Sequence, residues 1–279
     1  MIINLKINKN EYKHFVQDIW PKIESVEGFL ERDEAFFLFI IAKSLVAKRW
    51  ARNIVEIGSY KGKSTVAFAY GLRENLTNLS NTCPEEFRFR IYSIDPFIGV
   101  PNLNFQSSRP EYDANIAKAG ISDIVSVIPK TSAEAFNLWD ANKQISILFI
   151  DGNHRYEYVK EDHRLWSRYM RDDGGLVVFH DIHLSGVHEA IIEELFERRI
   201  YKRFVIISDI KYLNFGIIAG YREYYRLPAS ELFEKWVLKK WFIIGGHPYF
   251  AAIFLYLYNP IKYSMRKMSL LIRKIISFF

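Results

Sequence analysis

Val55-Glu56-Ile57-Gly58-Ser59-Tyr60-Lys61-Gly62-Lys63-Ser64-Thr65 runs from an apolar, β-branched stretch through a glycine-framed turn into a helical pattern. Gly58 and Gly62 lack a Cβ, so the turn is free to take unusual dihedrals and a ligand can approach its backbone closely, with helix N-terminal amides ready for an anion. Such a turn is a cradle for a cofactor. A phosphate-binding loop needs four residues between its first glycine and the Gly-Lys pair, whereas only Ser59-Tyr60-Lys61 separate Gly58 from Gly62-Lys63. The G-x-G-x-x-G pattern of dinucleotide folds is absent.

The stretch does resemble the first motif of the class I methyltransferases, the catechol O-methyltransferase type above all, which reads Glu-x-Gly-x-Tyr-x-Gly-x-Ser. Glu56, Gly58, Tyr60, Gly62 and Ser64 fill its positions. The resemblance implies an S-adenosylmethionine cofactor contacted by these residues and by Ser59. A side chain added at Gly58 is then expected to fall where the methionine portion of the cofactor lies.

Outward from the motif, Asn53 to Ile57 reads as a strand and Lys63 to Leu72 as a helix, the opening unit of a doubly wound α/β fold. Before it, Glu11 to Trp20 and Phe29 to Trp50 have helical spacing and are expected to cover the sheet. Phe89 to Ile94 is a second strand ending at Asp95, an acid placed to accept hydrogen bonds from ribose hydroxyls or to cap a helix. Ile124 to Ile128 is a third strand, followed by Ser132. In the resembling family that turn lies along the adenine ring, and a helix N-cap explains Ser132 equally well. Phe204 to Ile210 and Asn214 to Tyr221 read as a closing hairpin. The expected architecture is a mostly parallel seven-stranded sheet over residues 51–222, with an N-terminal helical cap at 1–50 and a helical tail at 223–279.

Ile145 to Ile150 and Leu176 to Phe179 are continuous apolar runs, the signature of strands buried on both faces. They end in Asp151-Gly152-Asn153-His154 and in His180-Asp181-Ile182-His183, which brings acids and imidazoles to one sheet edge. Five of the seven histidines fall between His154 and His188, and that clustering favours a metal; His163 and His188 lie within helices and read as structural. This passage also resembles bacterial small-molecule and sugar O-methyltransferases. The resemblance implies metal ligands at Asp151, His180 and Asp181, with His180 standing where relatives carry an oxygen ligand. It also implies a general base at His154, where the catechol-type enzymes have lysine. An imidazole with an ordinary pKa of about 6.5 suits that task, and the plainer role for His154 is a bond to a backbone carbonyl. The implied reaction is a Mg²⁺- or Mn²⁺-assisted methyl transfer to a hydroxyl of a sugar, glycan, glycolipid or small molecule. A P-loop-like nucleotide hydrolase and an inactive membrane-bound scaffold remain the alternatives.

A single cysteine, Cys83, excludes a disulfide framework and fits a reducing compartment. Residues 1–10 have no apolar signal-peptide core, so a cytoplasmic location is expected. The net charge of +6 is uneven: residues 221–279 hold ten Lys/Arg and three Asp/Glu, and residues 1–220 hold the remaining 28 and 29. A body of net −1 lacks the phosphate-neutralising surface that nucleic acids require. In the tail, Trp241 to Ile261 is 21 residues without a formal charge, interrupted by Gly245-Gly246-His247-Pro248. That length could span a bilayer, and the interruption favours a broken segment or a hydrophobic hairpin on the body or on a second subunit. Beyond it, Ile261, Met265, Met268, Ile272, Ile275, Ile276 and Phe279 share one helical face and Lys262, Arg266, Lys267, Arg273 and Lys274 the other. This pattern fits either a helix lying on an anionic leaflet at the inner face of the membrane, with contact through residues 235–279, or a helix pairing two subunits. The leaflet predicts salt-sensitive sedimentation of the full chain with anionic liposomes, abolished by removing residues 225–279; indifference to such liposomes at low salt favours the homo-oligomer.

Overall fold

Apolar runs on both sides of the glycine turn build the centre of a parallel sheet. The computed structural model describes residues 9–46, 53–76, 89–98, 106–170, 175–182, 184–197, 203–208, 216–221 and 241–244. Its strands are β1 (Asn53–Ile57), β2 (Arg90–Ile94), β3 (Val125–Ile128), β4 (Ile147–Ile150), β5 (Leu176–Phe179), β6 (Arg203–Ser208), β7 (Gly216–Tyr221) and β8 (Trp241–Ile244). They form one sheet in the order β3-β2-β1-β4-β5-β7-β6-β8. The first five are parallel, and β7, β6 and β8 are antiparallel. The order reverses between β1 and β4, and in open α/β sheets ligands bind at that switch, outside the carboxyl ends of the strands.

The helices are α1 (Lys9–His14), α2 (Trp20–Glu24), α3 (Arg32–Val46), α4 (Lys63–Leu76), α5 (Arg109–Lys118), α6 (Ser132–Phe136), α7 (Tyr156–Trp166) and α8 (Ser185–Ile191). Strand residues point alternately to the two faces, and both faces are covered. Ile54, Ile147, Phe149, Leu176 and Val178 join Phe15, Ile23, Phe36, Phe39 and Phe68 in one cluster. Val55, Ile57, Leu148, Ile150, Val177 and Phe179 join Val159, Trp166, Val187 and Ile191 in the other. The N-terminal helices therefore share a core with the sheet.

Among the described residues the sheet has eight strands where seven were expected, because Trp241–Ile244, the start of the uncharged tail segment, pairs antiparallel with β6. Part of that segment is thus spent on backbone pairing with the body. Residues 245–279, including the amphipathic stretch, lie outside the described residues, as do Cys83 and His183. Among the described residues no helix is long and apolar enough to cross a membrane.

Candidate active site

The turn after β1 is held by two carboxylates. Glu56 is fully buried beneath it and accepts hydroxyl hydrogen bonds from Ser59 (3.1 Å), Ser93 (2.8 Å), Ser64 and Thr65. Burial pushes its carboxyl up, and the four hydroxyls oppose that. Asp95, at the end of β2, accepts from the backbone amides of Ser59 (2.9 Å) and Tyr60 (2.8 Å) through Oδ2, and from that of Phe97 (2.7 Å) through Oδ1. A carboxylate has about four acceptor positions, so Asp95 keeps little capacity for ribose hydroxyls and serves first as a clip between β1 and β2.

Gly58 takes φ +84°, and a Cβ there would lie 2.2 Å from the Asp151 carbonyl oxygen. A side chain at Gly58 thus strikes the backbone after β4, which corrects the expectation that it would fill cofactor space. Gly62 faces the Tyr112 ring, where a Cβ would stand at 3.2 Å.

A cavity of about 710 Å³ opens at the carboxyl ends of the strands. Of the expected cofactor contacts, Gly58, Ser59, Tyr60, Ser64, Asp95, Ser132 and Asp151 line it, and Glu56 and Gly62 do not. Tyr60 (φ 45°), Phe97 (φ 53°) and Asp181 (φ 50°) have left-handed backbones, each just past a strand end. Such conformations cost of order 1–3 kcal/mol each and persist where surrounding contacts fix them.

Thr131, not Ser132, caps α6: its hydroxyl accepts from the Glu134 amide, while the Glu134 carboxylate accepts from the Thr131 amide at 3.0 Å. That leaves the Ser132 hydroxyl to accept from Trp166 Nε1 at 2.9 Å.

At the chemical edge, Asp151, His154 and Asp181 bring potential ligand atoms within 4.8 Å of one another. His154 Nε2 lies 3.2 Å from Asp181 Oδ2 and 3.7 Å from Asp151 Oδ1, yet it is buried and has no hydrogen-bond partner. Asp151 and Asp181 are oxygen ligands of the kind a divalent ion takes, with the His154 imidazole beside them. Asp151 above all, with Asp181, holds the His154 pKa above the ordinary value, against burial and the His180 charge.

His180 is not part of that trio. It is 2% exposed, its Nδ1 is 3.0 Å from Asp151 Oδ1 and its Nε2 is 3.1 Å from Glu34 Oε2, so both ring nitrogens are spent on carboxylates. This corrects its expected role as a ligand: His180 is a strut between α3 and the end of β4. Burial works against its charge, but Asp151, Asp181 and Glu34 outweigh that and keep its pKa well above the ordinary value. In return, the His180 charge and hydrogen bond, with the nearby His154 imidazole, hold the Asp151 carboxyl below its usual range, against burial.

Sequence reasoning missed Glu34 and Asp162. Glu34 accepts from the Glu31 amide at 2.9 Å as well as facing His180. Asp162 belongs to the stripe Val159, Asp162, His163 and Trp166 that α7 buries. An acid at i, i+3, i+4, i+7 spacing on an otherwise apolar face was the available signal.

Residues 55–182 match the family model for a methyltransferase domain. The chain is similar in structure to a candidate O-methyltransferase from Klebsiella pneumoniae, with TM-score 0.52 and 15% identity over 78% of this chain and 93% of that one. It is also similar to an O-methyltransferase from Bacillus cereus in complex with S-adenosylhomocysteine (0.50, 15%, 77% and 92%). A third similar structure is TomG from Streptomyces achromogenes, an O-methyltransferase of tomaymycin synthesis in complex with S-adenosylmethionine (0.50, 15%, 78% and 92%). The fold is that of the class I S-adenosylmethionine-dependent methyltransferases.

Burial pushes the Asp162 carboxyl from 3.8 up to about 7, with the Ser132 hydrogen bond opposing the rise. The folded chain therefore holds a proton there that the unfolded chain releases, and stability falls as pH rises from about 4 to about 7, by at most ~4 kcal/mol. Asp162→Asn removes this dependence. In urea unfolding, the variant's stability relative to the parent should grow between pH 4 and pH 7 and level off above; a difference that is flat with pH refutes the buried proton.

Proposed function

We propose that the chain is an S-adenosylmethionine-dependent O-methyltransferase, assisted by a divalent ion, that acts on a hydroxyl of a sugar, glycan, glycolipid or small molecule. The observation that carries the chemistry is the His154 imidazole, whose Nε2 faces Asp181 Oδ2 at 3.2 Å and Asp151 Oδ1 at 3.7 Å on the wall of the cavity that the glycine turn opens into. S-adenosylmethionine, when bound, supplies an electrophilic methyl group on its sulfonium. The turn from Gly58 to Tyr60, with Ser64 and Asp95, lines the cavity and would hold the cofactor.

His154 takes the proton of the acceptor hydroxyl, leaving the oxygen a lone pair for the methyl. Asp151 and Asp181 are the carboxylates that would hold the ion. An ion there supplies Lewis acidity that lowers the pKa of the hydroxyl. Much of the remaining rate comes from alignment of the two reactants in one cavity. TomG, which acts in tomaymycin synthesis, supports a small-molecule acceptor. The basic, apolar tail supports an acceptor near a membrane surface and a cytoplasmic location.

Methyl transfer from labelled cofactor into a cell extract provides the assay. A chelator or Asp181→Ala should abolish transfer with S-adenosylhomocysteine affinity retained, and His154→Ala should lower turnover by ~10²-fold or more. Full activity in chelator removes the ion from the account, and a His154 variant as active as the parent removes the base.

A further inference from the structure

Arg155 is a basic side chain in the cavity wall that the chemistry above does not use. Of the other basic residues lining the cavity, Lys61 pairs with Glu27 at 2.7 Å, Lys63 donates to the Gly28 carbonyl at 3.2 Å, and His154 and His180 face the carboxylates of the reacting edge. The Arg155 guanidinium has no hydrogen bond, ion pair or aromatic ring against it among the described residues.

Its backbone, by contrast, is fixed. The Arg155 amide donates to Asn153 Oδ1 at 3.1 Å, and its carbonyl accepts from the amides of Tyr158 and Val159, each at 3.1 Å. Arg155 thereby stands in the capping position before α7, where its side chain makes no capping hydrogen bond. That position favours short acceptors such as Ser, Thr, Asp and Asn, and the helix dipole opposes a cation there. Local structure therefore gives no reason for an arginine, and the side chain is exposed on ligand space. A guanidinium that its own helix disfavours and no acid offsets is placed to meet an anion from outside, and its planar fork suits the paired oxygens of a carboxylate or phosphate.

Arg155 follows His154 directly, with Cα atoms about 3.8 Å apart, so what it holds lies beside the hydroxyl that His154 would deprotonate. Asp151 and Asp181 already face His180 and His154, which leaves the guanidinium charge for the acceptor. We infer that the methyl acceptor is an anion, a carboxylate- or phosphate-bearing molecule whose oxyanion Arg155 holds next to the reacting hydroxyl, an inference that rests on the methyltransferase reading. Arg155 is then a specificity-determining residue for the acceptor and not for the cofactor.

Methyl-labelled S-adenosylmethionine and a cell extract heated to inactivate its own enzymes test this with the full-length parent, Arg155→Gln and Arg155→Lys. Label transferred by the parent should be retained on an anion exchanger at neutral pH and released by salt. At limiting acceptor, Arg155→Gln should transfer ~10- to 100-fold more slowly, the worth of a hydrogen bond to a charged group, and Arg155→Lys should recover part of the rate. Calorimetry should give all three proteins the same S-adenosylhomocysteine affinity, which also shows that the variants fold. Loss of transfer after phosphatase treatment of the extract identifies a phosphate on the acceptor, and loss after carbodiimide amidation a carboxylate. Label that passes through the exchanger, or an Arg155→Gln rate equal to the parent's, overturns the inference alone. A fall in S-adenosylhomocysteine affinity that matches the fall in rate also overturns it, by placing Arg155 on the cofactor. A parent that transfers no label overturns it together with the proposed function.

Discussion

The buried carboxylate of Glu56 is the interaction on which the site depends. It is the common acceptor for hydroxyls from the turn (Ser59), from α4 (Ser64 and Thr65) and from β2 (Ser93). Replacing it with an apolar group would strand the buried Ser59 and Ser64 hydroxyls, each costing of order 1–3 kcal/mol, and would leave Thr65 and Ser93 only each other and Tyr112. Asp95 completes the arrangement from above by accepting two amides of the same turn. The glycine turn is thus shaped by two acids before any ligand arrives. The amides that a phosphate loop would aim at a nucleotide already face a carboxylate, and Lys63 is spent on the Gly28 carbonyl and the Trp20 ring. Both features weigh against a nucleotide hydrolase.

With the turn fixed, the reacting groups are placed by what stands behind them. Asp151 is tied to β1 through its backbone, by an amide bond to the Ile57 carbonyl at 2.9 Å, and through its side chain to the His180 strut. The strut runs on to Glu34 in α3, so a helix that covers the sheet also sets a carboxylate at its edge. Of the left-handed non-glycine residues among those described, Tyr60 and Asp181 line the cavity, and Phe97 is held by Asp95. Strained backbone gathers at the sheet edge because there the chain leaves the hydrogen-bonded ladder and aims side chains at a ligand.

Local pattern made most of the fold legible. β1 spans the residues its β-branched stretch suggests, and β5 begins and ends where its continuous apolar run does, because a run of that length suits a strand covered on both faces. The eighth strand was not legible: Trp241–Ile244 has an uncharged composition that a membrane segment, a hairpin or an edge strand can share, and its partner lies more than thirty residues away in sequence. In the site, the glycines, Asp151, His154 and Asp181 could be read because their position after a strand fixes where they emerge. The roles of Asp95 and His180 could not, since each turns on a backbone amide or a distant acid (Glu34) that spacing does not reveal. Asp162 was legible in principle, as an acid within an apolar helical stripe, but what it faces depends on how α6 packs beside α7.

The central claim is that the turn cradles a methyl donor and not a nucleotide. Calorimetric titration of the full chain with S-adenosylmethionine and, separately, with ATP and Mg²⁺ tests it most directly. The account predicts saturable one-to-one binding of S-adenosylmethionine and no binding of ATP. Saturable binding of ATP with none of S-adenosylmethionine would contradict it.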